Sequence, residues 1–365
     1  MRILRTYILK ELLQPMGMSL LLFTFILLVG NLVKLANLLV NKGVPALAVL
    51  QLFALLVPTL LSYTVPIAVL TGTLLAFGKL SSDREILAMK ASGVSLWAIS
   101  LPVLTVGMIL SLGLTPINDR VVPWSHFASR KVLEEIGIRN PTAFLEAGTF
   151  IREFKPYILF VYGVDGNKMN KIRIYEPQEG RPTRTVVADR GEFIPVPEER
   201  RVILKLYDGS ADEPDPKDPS RFYKLQFKTY SMALNLLAGR RNPDTIQRKP
   251  KDMSLSQLVE ETARLEIQGI NATPLKVEQA RRIAFSFSPF VFMLIGFPLG
   301  ITTRRAQRSV GFGLSVIVFL GYYLFSVIGQ AFAEKGLMAP VPAMWLGNLV
   351  FGGAGLLLLW RSARR

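Results

Sequence analysis

The chain has 365 residues, half of them apolar, with no cysteine and a mean hydropathy of +0.34. Its 43 Lys/Arg and 27 Asp/Glu are distributed so unevenly that six long stretches carry no charge at all: 12–33 (22 residues), 43–78 (36), 91–118 (28), 283–303 (21), 309–333 (25) and 336–360 (25). An uncharged apolar run of about 18 or more residues reads as a membrane span, because about 20 residues rising 1.5 Å each cross about 30 Å of hydrocarbon. This pattern excludes a soluble enzyme. The expected fold class is a membrane α-helical protein with six transmembrane helices, three plus three, and an inserted extracytoplasmic all-β, jelly-roll-like domain. The boundaries are 1–118, 119–282 and 283–365.

In chain order, the first run follows Arg2, Arg5, Lys10 and Glu11. It is longer than a signal-peptide core and no small-x-small site follows, so it reads as a retained span. The 36-residue second run is too long for one upright helix and too short for two spans with a turn. One tilted span fits, with bends at Pro58 and Pro66. Lys34 has Asn31 and Asn37 one turn to either side, which puts the three on one helix face. Such a cation either binds an anionic lipid headgroup or snorkels to the interface.

Between the second and third spans lies 79–95. Ser81 or Ser82 is placed to cap a short helix with Asp83 and Glu85 in its first turn. Ile86, Leu87 and Met89 give that helix an apolar surface, and Gly93 stops it. Joining two spans needs only a few residues, so this helix is either a docking surface or an interfacial helix on the headgroups.

Residues 119–139 read as a helix continuing out of the third span, and the β-like segments follow at 143–154, 157–164, 171–175, 185–188, 191–195, 201–207 and 222–230. Turn residues separate them, including Asp165-Gly166, Asp208-Gly209 and the Pro-rich 212–220. Ile172, Ile174, Ile203, Leu225 and Phe227 alternate with polar neighbours, as half-buried strands require. The β domain is expected to cover about 141–250, with flanking helices. Ser254 and Gln257 have capping-box spacing, Gly269 ends that helix, and a second helix from Pro274 leads through Arg281 and Arg282 into the fourth span.

The basic excess is a topology signal. Residues 119–282 hold 28 Lys/Arg against 23 Asp/Glu. Of the other 15 basic residues, 12 lie on one side of the six-span layout: Arg2/Arg5/Lys10, Lys79/Arg84/Lys90, Arg304/Arg305/Arg308 and Arg361/Arg364/Arg365. Only Lys34, Lys42 and Lys335 lie toward the other. Both termini are therefore expected in the cytoplasm and 119–282 outside it, in the periplasm of a bacterium. Nucleic acid is not an expected partner.

Catalytic chemistry is not legible. His126 is the only histidine, so a His-rich metal site cannot assemble, and its place in an amphipathic stretch does not suit a Ser/His/Asp set. Gly72–Lys79 imitates a phosphate loop, but its spacing is one residue too long, Leu80 replaces the Ser/Thr, and it lies in a span. No cofactor is expected in this chain. If ATP drives it, another polypeptide binds the ATP and its Mg.

With these residues in view, the chain resembles the YjgP/YjgQ permease family, the LptF/LptG subunits of lipopolysaccharide export. The resemblance covers essentially the whole chain. It rests on the basic start 2–14, Leu32-Val-Lys-Leu35, the long second span, Gly78-Lys-Leu and Ser82-Asp-Arg-Glu-Ile-Leu-Ala-Met-Lys-Ala-Ser-Gly-Val-Ser95. Val187-Ala-Asp-Arg-Gly191, Arg281-Arg-Ile-Ala-Phe-Ser-Phe-Ser-Pro-Phe290, Gly296-Phe-Pro-Leu-Gly300 and Arg308-Ser-Val-Gly-Phe-Gly313 complete it. Leu32-Val-Lys and the 78–95 stretch lie slightly closer to the LptF branch.

The resemblance implies an inner-membrane half-transporter that pairs with a second LptF/LptG-type subunit. It would sit on a dimer of an LptB-like ATPase and pass lipopolysaccharide to its jelly roll and to an LptC-like protein. It makes 79–95 the coupling helix, with Glu85 at the ATPase-contacting acid and Asp83, Arg84, Ile86 and Met89 around it. It places Lys34 where substrate phosphates are met. The charge pattern adds Asn31, Asn37 and Lys42 at the rim, with Phe319, Tyr322, Tyr323 and Phe325 as candidates to line an apolar cavity. The alternative is a permease for lipoprotein or another lipid, or a non-catalytic scaffold. Lipoprotein and macrolide exporters usually carry the large domain after the first of four spans, whereas here it follows the third of six.

Overall fold

The structure, a computed structural model, describes residues 2–141, 145, 147–151, 154, 156–165, 168–178, 181–196, 201–214, 222–234, 248–302 and 308–364. Arg304, Arg305, Arg365 and most of the Pro-rich 212–220 separator lie outside the described residues. The described chain forms ten α-helices and a six-stranded sheet, divided between two compact units. The first unit is Met1–Asn31, Leu55–Phe127 and Arg248–Arg365; the second is Leu32–Ala54 and Ala128–Gln247.

Among the described residues, five helices are long and apolar enough to cross a membrane. They begin with α1 (Arg2–Val40) and α2 (Ala46–Ser82), which runs unbroken through Pro58 and Pro66. After the short α3 (Glu85–Ala91) comes α4 (Leu96–Pro116), continued by α5 (Val122–Arg139). The last two are α9 (Arg308–Glu334) and α10 (Pro340–Arg364).

The sixth crossing is less simple than the charge-free run implies. α7 (Thr273–Ser286) and α8 (Ser288–Thr302) meet at a 42° bend, so the expected boundary at 282/283 falls inside α7. At 15 residues α8 reaches about 22 Å, short of the hydrocarbon thickness, and it crosses only together with part of α7.

α4 and α5 are joined by a π-helical turn, Ile117–Val121, in which the Val122 N–H bonds the Ile117 carbonyl. Such turns form where the ordinary helical ladder is interrupted, here between Pro116 and Pro123. The turn aims two polar side chains. Asn118 accepts from Ser62 Oγ at 2.6 Å and donates to Ser286 Oγ at 2.9 Å, while Asp119 accepts from the Leu255 N–H at 2.6 Å. The capping box forms as expected, with Ser254 and Gln257 starting α6 (Leu255–Ile267), and Gly269 ends it at φ +69°. Residues 248–282 cluster in the first unit rather than with the β domain.

The second unit holds the β domain: β1 (Phe150–Ile151), β2 (Ile158–Asp165), β3 (Lys168–Gln178), β4 (Arg181–Val196), β5 (Arg201–Pro214) and β6 (Phe222–Leu234). The jelly-roll-like domain takes the form of an antiparallel meander with strands paired in sequence order. The expected strands 185–188 and 191–195 are one continuous strand, β4. Within 143–154 only β1 is strand among the described residues, and the beginning of that stretch lies outside them.

A strand with one buried face keeps a period of two. Here the inward positions change parity partway along: Met169 then Ile172, Ala188 then Phe193, Leu206 then Ala211, all 3% exposed or less. The change falls where Lys171 and Asp208 adopt positive φ, between the pairs Asn170↔Arg190 and Ile172↔Ala188 on one side and Ala188↔Gly209 and Arg190↔Tyr207 on the other. The sheet therefore creases along this row, and both halves contribute to one core. Val187–Gly191, noted above as a motif, sits on the crease. A Cβ at Gly191 would lie 2.4 Å from Ile172 Cδ1, so a larger residue there would require the Ile172 side chain to shift.

The burial of β5 and β6 also corrects the alternation read from sequence. Val202, Leu204 and Leu206 face the core, which leaves Ile203 half-buried on the other side, and Leu225 is exposed.

Candidate functional site

The segment between α2 and α4 is short and held at a few points. α2 ends at Ser82, and Arg84 turns into the left-handed region at φ 60° before α3 begins. Ser81 does not cap α3: its hydroxyl donates to the Ile301 carbonyl at 2.8 Å, and α3 has no side-chain N-cap. The stop is as expected, with Gly93 at φ +83° and the Val94 N–H reaching back to the Met89 carbonyl at 3.0 Å. Ser95 then caps α4.

Ile86 is 4% exposed and packs in a cluster with Ile8, Leu12, Phe77, Leu80, Leu96 and Ile99, with Met89 against it. Both side chains anchor α3 to the bundle. The face left open is formed by Asp83, Arg84 and Leu87. Glu85, half-buried beside it, accepts a hydrogen bond from the Tyr7 hydroxyl at 2.6 Å, and one turn further along α1 Glu11 pairs with Lys79 at 2.8 Å. Tyr7 and Glu11 were not legible as part of this segment, since 78 and 68 residues separate the partners. A cavity of about 810 Å³ opens alongside, lined by Glu11, Met18, Leu22, Lys79 and Phe312 among others.

The rim residues separate. Lys34 is exposed near the end of α1, Asn31 donates to the Leu27 carbonyl of its own helix, and Asn37 accepts from Asn41. Lys42 is engaged, donating to the Leu145 carbonyl. Phe319 is half-buried against Phe292, with ring centroids 6.0 Å apart. Tyr322 is packed inside the first unit, its hydroxyl donating to Asn348 at 2.9 Å. Tyr323, its neighbour, is exposed.

A second polar group lies in the first unit, around Glu278. This carboxylate accepts two hydrogen bonds from Arg281 and one from Arg282, each at 2.9 Å. Arg282 also donates to the Met253 and Pro250 carbonyls. His126 is half-buried and lines a cavity of about 230 Å³ with Ser62, Tyr63, Asn118 and Arg281. The signal for this cluster was present as a carboxylate three and four residues before two arginines, on a helix entering a span. Among the described residues no group of His, Asp and Glu side chains could hold a metal ion.

With this layout of long spans, short helix and inserted β domain on hand, the sequence over residues 6–361 matches the family of the lipopolysaccharide export system permeases LptF/LptG. The chain belongs to the LptF/LptG family. It is 24% identical over 364 residues to the lipopolysaccharide export system permease protein LptF of Escherichia coli K12, covering 97% of this chain and 94% of that one. The Shigella flexneri LptF gives the same figures. An uncharacterized protein of Rickettsia prowazekii is 25% identical over 232 residues, 62% of this chain and 64% of that one. As a family member the protein is a lipopolysaccharide export permease, a multi-pass inner-membrane protein built of apolar helices with a β domain between them.

Proposed function

We propose that this permease is one half of an ABC-type exporter whose ATPase docks on α3, extracting lipopolysaccharide from the inner membrane and passing it to a periplasmic bridge. The observation that carries the reading is the form of 83–91. A seven-residue helix, where a few loop residues would join the spans, is anchored by Ile86, shows Asp83, Arg84 and Leu87 outward, and holds Glu85 by a hydrogen bond from Tyr7, 78 residues away. The phosphate-loop imitation at Gly72–Lys79 lies within α2, so ATP and Mg are assigned to the partner, an LptB-like dimer. A second LptF/LptG-type subunit completes the transmembrane part, and an LptC-like protein receives the lipid. The 12-to-3 division of basic residues supports cytoplasmic termini and a periplasmic β domain. The chain acts by transport, without chemistry of its own.

Glu85→Ala and Glu85→Lys are expected to leave the permease folded and inserted but uncoupled, with ATPase co-purification reduced and lipopolysaccharide release lost in proteoliposomes. Normal ATPase recovery together with normal release would overturn the assignment. Lys34 is assigned to the phosphates of lipid A, because it is exposed while Lys42 is engaged with a carbonyl. Lys34→Asp is expected to lower photocrosslinking to lipopolysaccharide about tenfold by opposing the phosphate charge. Unchanged crosslinking would make Lys34 a snorkelling side chain.

A further inference from the structure

We infer that Tyr7 is a positioning residue for Glu85: its hydroxyl sets the carboxylate for the partner ATPase and ties the first turns of α1 to the docking helix. The inference rests on the docking role proposed above for α3.

Local structure does not aim Glu85. α3 has only seven residues, too few to be stable as an isolated helix. It starts from Arg84 in the left-handed region, without a side-chain cap, so neither α2 nor a capping group fixes the direction of its first turn. A free glutamate in a first turn would also be drawn toward the unpaired N–H groups of its own helix end. Instead, Glu85 Oε2 accepts from the phenol of Tyr7.

That bond uses one carboxylate oxygen and leaves Oε1 to accept from a cationic donor on a partner. Covering the pair with a partner lowers the local dielectric and strengthens both interactions. The bond belongs to a larger clamp. Tyr7 and Glu11 are four residues apart on one face of α1, and Glu11 pairs with Lys79 in the last turn of α2. The residues that follow each of them, Ile8 and Leu12, 1% and 0% exposed, pack into the same cluster as Ile86. The start of α1 and the docking helix are thus one packed body, and the Tyr7 hydroxyl is the part that bears directly on Glu85.

The test uses the assembled transporter in proteoliposomes and a titration of permease with its ATPase in detergent. Tyr7→Phe keeps the ring and removes only the donor. It is expected to weaken ATPase affinity and to lower lipopolysaccharide released per ATP hydrolysed, each about fivefold, with unchanged thermal stability. In a Glu85→Ala background the same change is expected to have no further effect on affinity. Wild-type affinity and coupling in Tyr7→Phe would overturn the inference, as would an equal loss with and without Glu85. If Glu85→Ala itself leaves ATPase affinity intact, the docking role falls and the inference with it. If Glu85→Ala weakens docking and Tyr7→Phe does not, only the role of Tyr7 falls.

Discussion

Replacing Glu278 with alanine is expected to destabilise the helical unit by about 3–5 kcal/mol, the cost of stranding a buried charge by removing its partner. The Arg282 side chain is 5% exposed and that of Glu278 10%. One carboxylate serves two guanidinium groups, with Arg281 bound in a two-point fork and Arg282 bonded as well to carbonyls of the preceding segment. Without Glu278 the two arginines lose the carboxylate they share, in a site that solvent reaches poorly. The loss would appear as a lower unfolding temperature in detergent and as faster hydrogen exchange in α6 and α7. A paired replacement, Glu278→Met with Arg282→Met, is expected to recover much of the stability, because apolar groups of similar volume need no compensation. An unfolding temperature of Glu278→Ala equal to that of the parent would show that water or lipid solvates these arginines.

Gly329→Ala is expected to separate α9 from α10 and to cost at least about 1–3 kcal/mol, the usual penalty for overpacking a filled interior. A Cβ at Gly329 would stand 2.1 Å from the Ala343 carbonyl oxygen and 2.9 Å from its carbon, both backbone atoms that no rotamer change can move. Small residues allow such approach where apolar lipid gives helices no hydrophobic drive to associate. The same face holds the Tyr322–Asn348 hydrogen bond, whose partners would be drawn apart. Gly313, on the same helix, has open space around it, so Gly313→Ala is expected to be neutral or slightly stabilising through helix propensity. Equal unfolding temperatures for the two variants would contradict this packing.

The spans, the capping box at Ser254 and Gln257 and the presence of a β domain were legible because each rests on a local pattern. Charge-free length, side-chain spacing and turn residues act over one element at a time. Misreadings occurred where a local pattern met a distant one. Ser81 has the chemistry of a cap, yet a carbonyl on α8 takes its hydroxyl. Ile86 and Met89 read as a docking surface, because nothing in 79–95 reveals that Ile8 and Leu12 cover them. In the β domain, the period of two holds within each half-strand and fails across the crease. Ile203, read as an alternating position with polar neighbours, instead lies between Val202 and Leu204, which take the core face and leave it half-buried on the other.

The sequence by itself determined which segments are long and apolar enough to cross a membrane and how the basic residues divide between the ends of those segments. Solvent preference decides those properties, residue by residue, wherever the rest of the chain lies. Only the tertiary structure decided that Tyr7 meets Glu85, that Glu278 holds two arginines, and that Gly191 lies against Ile172. Those contacts depend on helix crossings and strand register, which many side chains fix together through packing at near-crystalline density.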